Sequence, residues 1–155
     1  MMLPAFPAAA ASRPKVGEPA PEAELTLIDG TKVKLSAMRG DVVVFNIWAT
    51  WCVPCRRELP TLDYYYEAQK QHGLRVYALS TEDSVPLYRL KPLFEKLHIQ
   101  PTKKIKGPYG AIDNAVPSNY VIDRAGVLRY AKAAAFDLDD LNRELVPLLN
   151  EPRPV

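Results

Sequence analysis

Seven consecutive residues, Val42-Val43-Val44-Phe45-Asn46-Ile47-Trp48, form a run that is β-branched or aromatic apart from one amide and carries no charge. A strand with one wet face alternates apolar and polar residues, whereas an unbroken run marks a strand buried on both faces and so the centre of a sheet. The chain then turns at once into a segment of helical periodicity over residues 54–72, with Leu59, Leu62 and Tyr66 on one face and Gly73 as its stop. A second strand is predicted over residues 74–79. Because a helix intervenes, the two strands must run parallel, in a right-handed βαβ unit.

The flanking segments complete a sheet around this unit. Residues 23–28 and 31–35 alternate on either side of Asp29-Gly30, which predicts a β-hairpin, and Ser36 caps a brief turn ending at Gly40. Downstream, a helix is expected over residues 84–98, with Pro86 in its first turn and Pro92 as a kink. Residues 99–115, rich in Pro, Gly and Lys, leave room only for a short strand. Residues 119–122 and 127–130 form a second hairpin, and residues 137–150 an amphipathic helix with Leu138, Leu141, Leu145, Leu148 and Leu149 as its apolar positions. This order predicts an α/β fold, a mixed central sheet with helices on both faces and an added N-terminal hairpin. One domain over residues 22–150 is expected, between a flexible Pro/Ala-rich tail at 1–21 and a short tail at 151–155.

Composition narrows the function. With 20 basic and 18 acidic residues spread along the chain, net charge is +2, too small a field to favour nucleic acid as a partner. No run approaches the roughly 18 apolar residues of a membrane-spanning helix. The first residues lack a basic stretch and are interrupted by prolines, a poor signal peptide that fits the remnant of one or the stub of a removed anchor.

Only two cysteines occur, Cys52 and Cys55. That is too few for a disulfide scaffold or an all-cysteine zinc site, and His72 and His98 stand on unrelated segments. Arg56 after Cys55 excludes a C-x-x-C-H haem attachment, and a bridge closing so short a loop stabilises little. The pair falls where the buried strand meets the helix, so Cys52 lies near free N–H groups and the positive end of the helix dipole. Such placement lowers a thiol from about 8.5 into the range of roughly 3.5 to 7.5, which makes Cys52 the attacking thiolate and Cys55 the resolving thiol. Binding of Cu(I) by the two reduced thiolates is the alternative use of the same pair. No resident cofactor or metal is expected.

The segment from Val43 through Trp51-Cys52-Val53-Pro54-Cys55-Arg56-Arg57-Glu58-Leu59-Pro60 strongly resembles the TlpA/ResA-like branch (DsbE/CcmG type) of the thioredoxin superfamily. The likeness extends to Gly17-Glu18-Pro19-Ala20-Pro21, Asp29-Gly30, Leu35-Ser36, Arg39-Gly40, Val116-Pro117, Tyr120-Val121-Ile122-Asp123 and Gly126. It implies a thioredoxin-like fold and an extracytoplasmic thiol-disulfide oxidoreductase, most simply a reductase of client protein disulfides. Its clients would be of the cytochrome c or copper-site maturation type. A membrane-bound thiol reductant of the DsbD or CcdA type would recharge it, an upstream membrane tether is compatible with it, and a monomer is expected. A net oxidant or isomerase is the alternative within the same chemistry, since potentials in this fold span about −270 to −120 mV and about 30 mV is worth 1.4 kcal/mol.

The resemblance also assigns residues. Pro117 matches the proline that is cis in this fold, with Val116 offering backbone groups to an extended substrate. Glu58 matches an acidic residue near the sulfurs that opposes thiolate formation and can pass a proton. Trp51 matches the aromatic rim, Val53 and Pro54 lie between the cysteines on the substrate side, Trp48 serves the core, and Pro60 bends the helix. Asn46 stands where cytoplasmic thioredoxins carry a buried Asp, which leaves Glu58 as the main proton relay. Ser118-Asn119 replaces the usual pair of threonines, a departure expected to alter substrate preference. Residues 101–110, with Lys103, Lys104 and Lys106, depart from an apolar strand and acidic turn, and read either as a basic lip or, preferably, as a solvated loop.

Overall fold

The structure, a computed structural model, describes residues 13–81 and 87–154. The elements run β1 (Glu24–Leu27), β2 (Lys32–Lys34), a 3-10 turn (Leu35–Met38), β3 (Val42–Trp48), α1 (Val53–Gln69), a 3-10 turn (Lys70–His72) and β4 (Leu74–Ser80). They continue with α2 (Leu87–Phe94), β5 (Gln100–Lys106), β6 (Ser118–Ile122), β7 (Leu128–Lys132) and α3 (Leu138–Leu149). Among the described residues the strands form one sheet in the order β2-β1-β5-β4-β3-β6-β7. The apolar run lies in its interior as β3, parallel to β4 and antiparallel to β6, with all seven residues buried.

Side-chain alternation along β3 divides the core in two. Val42, Val44 and Trp48 face a layer that includes Leu59, Leu62 and Tyr65 of α1, Leu90 and Phe94 of α2, and Leu141, Leu145 and Leu148 of α3. Val43, Phe45 and Ile47 face a second layer with Leu25, Leu35, Met38, Tyr109 and Tyr120. All three α-helices therefore feed one layer, and the other is closed by the 3-10 turn after β2 and by loop residues. The expected helical cover of both faces gives way to this arrangement because residues 35–38 and 107–112 supply enough apolar surface to seal the second face. Each buried Val, Leu, Ile or Phe contributes roughly 1.5–3 kcal/mol.

Three local differences from the sequence reading have physical causes. The segment around Lys103–Lys106 is a strand rather than a solvated loop, because β5 has partners on both sides: β1 antiparallel and β4 parallel. The second helix ends at Phe94, ahead of residue 98, because the Asp63 carboxylate accepts from the backbone N–H of His98 (2.5 Å) and Ile99 (2.9 Å) and draws the chain out toward β5; its expected start at 84–86 lies outside the described residues. The tail was expected to run to residue 21, but Gly17 N–H donates to Leu128 O (2.8 Å), Ala20 N–H donates to Gly126 O (2.9 Å), and Ala20 is buried. Residues 1–12 lie outside the described part.

Arg124, 5% exposed, fastens the far end of the sheet. Its guanidinium donates to the carbonyls of Gly40 (2.6 Å), His72 (2.7 Å) and Leu149 (2.9 Å), tying together the turns after the 3-10 segments and the end of α3. Arg124→Met would orphan three carbonyls, and urea unfolding is expected to show a loss of roughly 3 kcal/mol. A loss below about 1 kcal/mol would mean that water replaces the guanidinium at no cost.

Candidate active site

Cys52 is the N-cap of α1, with extended backbone (φ −84°, ψ 109°) and its sulfur accepting from the backbone N–H of Cys55 at 3.3 Å. The strand-to-helix junction thus presents unsatisfied helix N–H groups to the sulfur, with Pro54, which has none to offer, in the first turn. Cys52 and Cys55 form a disulfide with Cα atoms 5.3 Å apart. Cys55 is fully enclosed, and the small exposure of the pair belongs to Cys52.

The loop before β6 comes against the nucleophile. The Val116-Pro117 peptide is cis, and the carbonyl oxygen of Val116 lies 3.7 Å from the Cys52 sulfur. This loop is set by a tight turn in which Asp113 (φ 52°) and Asn114 (φ 59°) adopt the left-handed conformation that their short polar side chains tolerate. The Ser118 hydroxyl accepts from Ile112 N–H (2.9 Å) and donates to Ala115 O (2.7 Å), closing the turn from inside. Ser118 and Asn119 are both buried, so they shape the site from behind its surface. The rim is apolar and open: Trp51 is 71% and Val53 54% exposed, and Pro54 is exposed beside them. Trp48 is in the core, its ring 5.7 Å from that of Phe94, and Pro60 sits inside α1.

Glu58 is one helical turn beyond Cys55 on the same inward face of α1, a spacing that puts Cβ atoms about 5–6 Å apart. It is 2% exposed, with the buried amides of Asn46 and Asn119 as polar neighbours in a largely apolar layer. Its carboxylate accepts from Asn46 Nδ2 (2.5 Å), Asn119 Nδ2 (2.7 Å) and the backbone N–H of Phe136 (2.5 Å). Asn46 Nδ2 also donates to Asn119 Oδ1 (2.9 Å), and Asn119 Nδ2 to Ala134 O (2.9 Å). One carboxylate thereby joins α1 to β3, to β6 and to the segment entering α3. Burial pushes its pKa from 4.5 up to about 7, and the three donors, each of which favours the ionised form, oppose a larger rise.

The structure brings Cys52, Val116, Trp51, Val53 and Pro54 together at one surface, with Cys55 and Pro117 buried directly beneath it and Glu58 behind them. Sequence reasoning missed that Asn46 and Asn119 are the partners of Glu58. The available signal was an amide in each of two strands whose neighbours are apolar, since a buried amide needs a polar partner. Among the described residues no group of three or more His, Cys, Asp or Glu is placed to hold a metal ion.

Comparison with known proteins agrees with this geometry. The chain is 31% identical over 119 residues to the thiol-disulfide oxidoreductase ResA of Bacillus thuringiensis, a match covering 72% of this chain and 66% of that protein. The chain thus spans just under two thirds of the length of that relative. The crystal structure of a thiol:disulfide interchange protein of the thioredoxin family from Chlorobium tepidum superposes with a TM-score of 0.72 at 22% identity, covering 91% of this chain and all of that one. A secreted thiol-disulfide isomerase from Corynebacterium glutamicum gives 0.67 at 22% identity, over 79% and 78% of the two chains. These likenesses fix the fold as thioredoxin-like, the α/β class expected from the sequence. Residues 16–131 match the AhpC/TSA family model. The chain belongs to the AhpC/TSA family.

Proposed function

We propose that this chain is a thiol-disulfide oxidoreductase that reduces disulfides of client proteins outside the cytoplasm, by attack of Cys52 and resolution by Cys55. The observation that carries this reading is the Cys52 sulfur at the N-terminus of α1, beside the Val116 carbonyl and under an exposed apolar rim. An extended client strand would lie against Val116, and Trp51, Val53 and Pro54 would contact its side chains.

In the first step the Cys52 thiolate attacks one client sulfur; the client S–S bond breaks, a Cys52–client disulfide forms, and the departing client thiolate takes up a proton. In the second, the Cys55 thiolate attacks the Cys52 sulfur and expels the other client thiolate. Two electrons pass to the client, and the chain is left with the Cys52–Cys55 bond. Glu58, ionised above about pH 7, is the inward base that takes the proton of the Cys55 thiol and returns it when the pair is recharged. A membrane-bound thiol reductant of the DsbD or CcdA type recharges the pair, and cytochrome c or copper-site maturation proteins are the client class. The extracytoplasmic setting follows the resemblance and the secreted relative from Corynebacterium.

Glu58 also favours the reducing direction. An anion one turn from Cys55 destabilises the thiolate state of the pair, and oxidants of this fold are strong because their reduced form is stabilised. Equilibration with glutathione buffers should therefore give a potential nearer about −270 mV than −120 mV, and a value above about −180 mV would reverse the direction. Insulin-disulfide reduction tests the activity itself. Tight stoichiometric Cu(I) binding by the reduced protein, with no insulin reduction, would instead favour a metallochaperone using the same two thiolates.

A further inference from the structure

The lysines of β2 and β5 have no place in the chemistry above. Cross-strand register puts them in two rows on one face of the sheet. Lys34, Glu24 and Lys106 are opposite one another across three strands, as are Lys32, Thr26 and Lys104. Leu25, its neighbours Val33 and Ile105, and the second core layer lie on the other face. All four lysines are exposed. Their acidic neighbours are Glu24, 3.9 Å from Lys32, and Glu22, whose carboxylate is occupied by the N–H groups of Ala23 and Ser36. Lysines on an edge strand guard against aggregation, which accounts for β2. It does not account for Lys104 and Lys106, since β5 is an interior strand.

The register also fixes where this face lies. Trp48, at the end of β3 that leads into Cys52, is opposite Ser80, and Leu79 is opposite Thr102 of the parallel β5. Lys104 and Lys106 therefore continue past the level at which β3 ends, by about 3 and 10 Å at 3.3 Å per residue. Two strand spacings, about 10 Å, separate β5 from β3 laterally, and β2 is about 19 Å away. A partner seated on Cys52 with a footprint of about 800 Å² would reach this face.

We infer that the Lys32, Lys34, Lys104 and Lys106 face is a docking surface for an acidic patch flanking the disulfide of the protein that exchanges with Cys52. The inference rests on the proposed thiol chemistry and adds the kind of partner. A protein carboxylate patch suits it better than other polyanions. The rows contain no arginine to fork onto phosphate, no aromatic ring to stack a base and no apolar side chain to enter lipid. Spread ammonium charges steer an acidic partner and raise its association rate.

The test uses two disulfide-bridged peptides with an extended arm of about eight residues, enough to span the distance from Cys52, one arm rich in Asp and the other in Lys. Single-turnover reduction by the reduced protein is followed at about 0.01 M and about 1 M salt. The Asp peptide should react about tenfold faster at low salt, with the preference vanishing at high salt. The quadruple variant K32Q/K34Q/K104Q/K106Q should lose the preference, while a variant with Lys15, Lys70, Lys91 and Lys96 changed to Gln should keep it. An equal preference in the two variants would overturn the docking face, as would four-lysine-dependent binding to vesicles of anionic lipid without any peptide preference. Hydroxyethyl disulfide, small and neutral, separates the two levels. If it too is not reduced, the thiol chemistry has failed; if it is reduced equally by all variants, only the docking surface has been tested.

Discussion

Cys52→Ser is expected to lower turnover of a protein disulfide by at least about a thousandfold, because it removes the only sulfur that the rim presents to a partner. Cys55→Ser should abolish steady-state turnover as well, for a different reason. Its Cys52 is still capped by the helix N-terminus and still flanked by Val116, so one attack per molecule should proceed at close to the normal rate. Stopped-flow kinetics with a fluorescent disulfide distinguishes the two: no burst for Cys52→Ser, and a full burst followed by arrest for Cys55→Ser. Equal bursts in both variants would make the cysteines interchangeable, which the burial of Cys55 does not allow.

The second large effect belongs to Glu58. Its folded-state pKa is about 7 against 4.5 unfolded, so between these values the folded chain holds a proton that the unfolded chain has released. Unfolding then releases a proton, and stability falls as pH rises from about 4.5 to about 7, by about 3 kcal/mol in all. Glu58→Gln should flatten that slope, with chemical denaturation at a series of pH values as the measurement. Parallel curves for the two proteins would show that Glu58 does not titrate in this range. The same variant removes an anion one turn from Cys55, so the thiolate absorbance of the reduced pair should appear at lower pH than in the unaltered chain.

Much of this is legible in the sequence. The β3 run was legible because a fully buried strand leaves no polar periodicity, and the hairpin at Asp29-Gly30 because Gly30 has the positive φ (87°) that its turn demands. The two sulfurs and the proline loop were legible through their motifs. The identity of β5 was not: Pro101 and three lysines argue against a strand locally, and what makes it one is pairing with β1, a segment some eighty residues earlier in the chain. Nor were the bonds of Glu58, since Asn46, Asn119 and Phe136 come from three separate segments and meet only when α1 closes over the sheet. Asp63, which ends α2 by capturing the N–H groups of His98 and Ile99, was hidden in the same way.

The most direct test of the account is to react reduced Cys55→Ala and reduced Cys52→Ala separately with a client-like disulfide peptide and to locate the adduct by peptide mass spectrometry. Cys55→Ala is expected to accumulate a stable mixed disulfide on Cys52, and Cys52→Ala to accumulate almost none. An adduct on Cys55 in Cys52→Ala, formed as fast as that on Cys52 in its counterpart, would contradict the assignment of Cys52 as the attacking thiol.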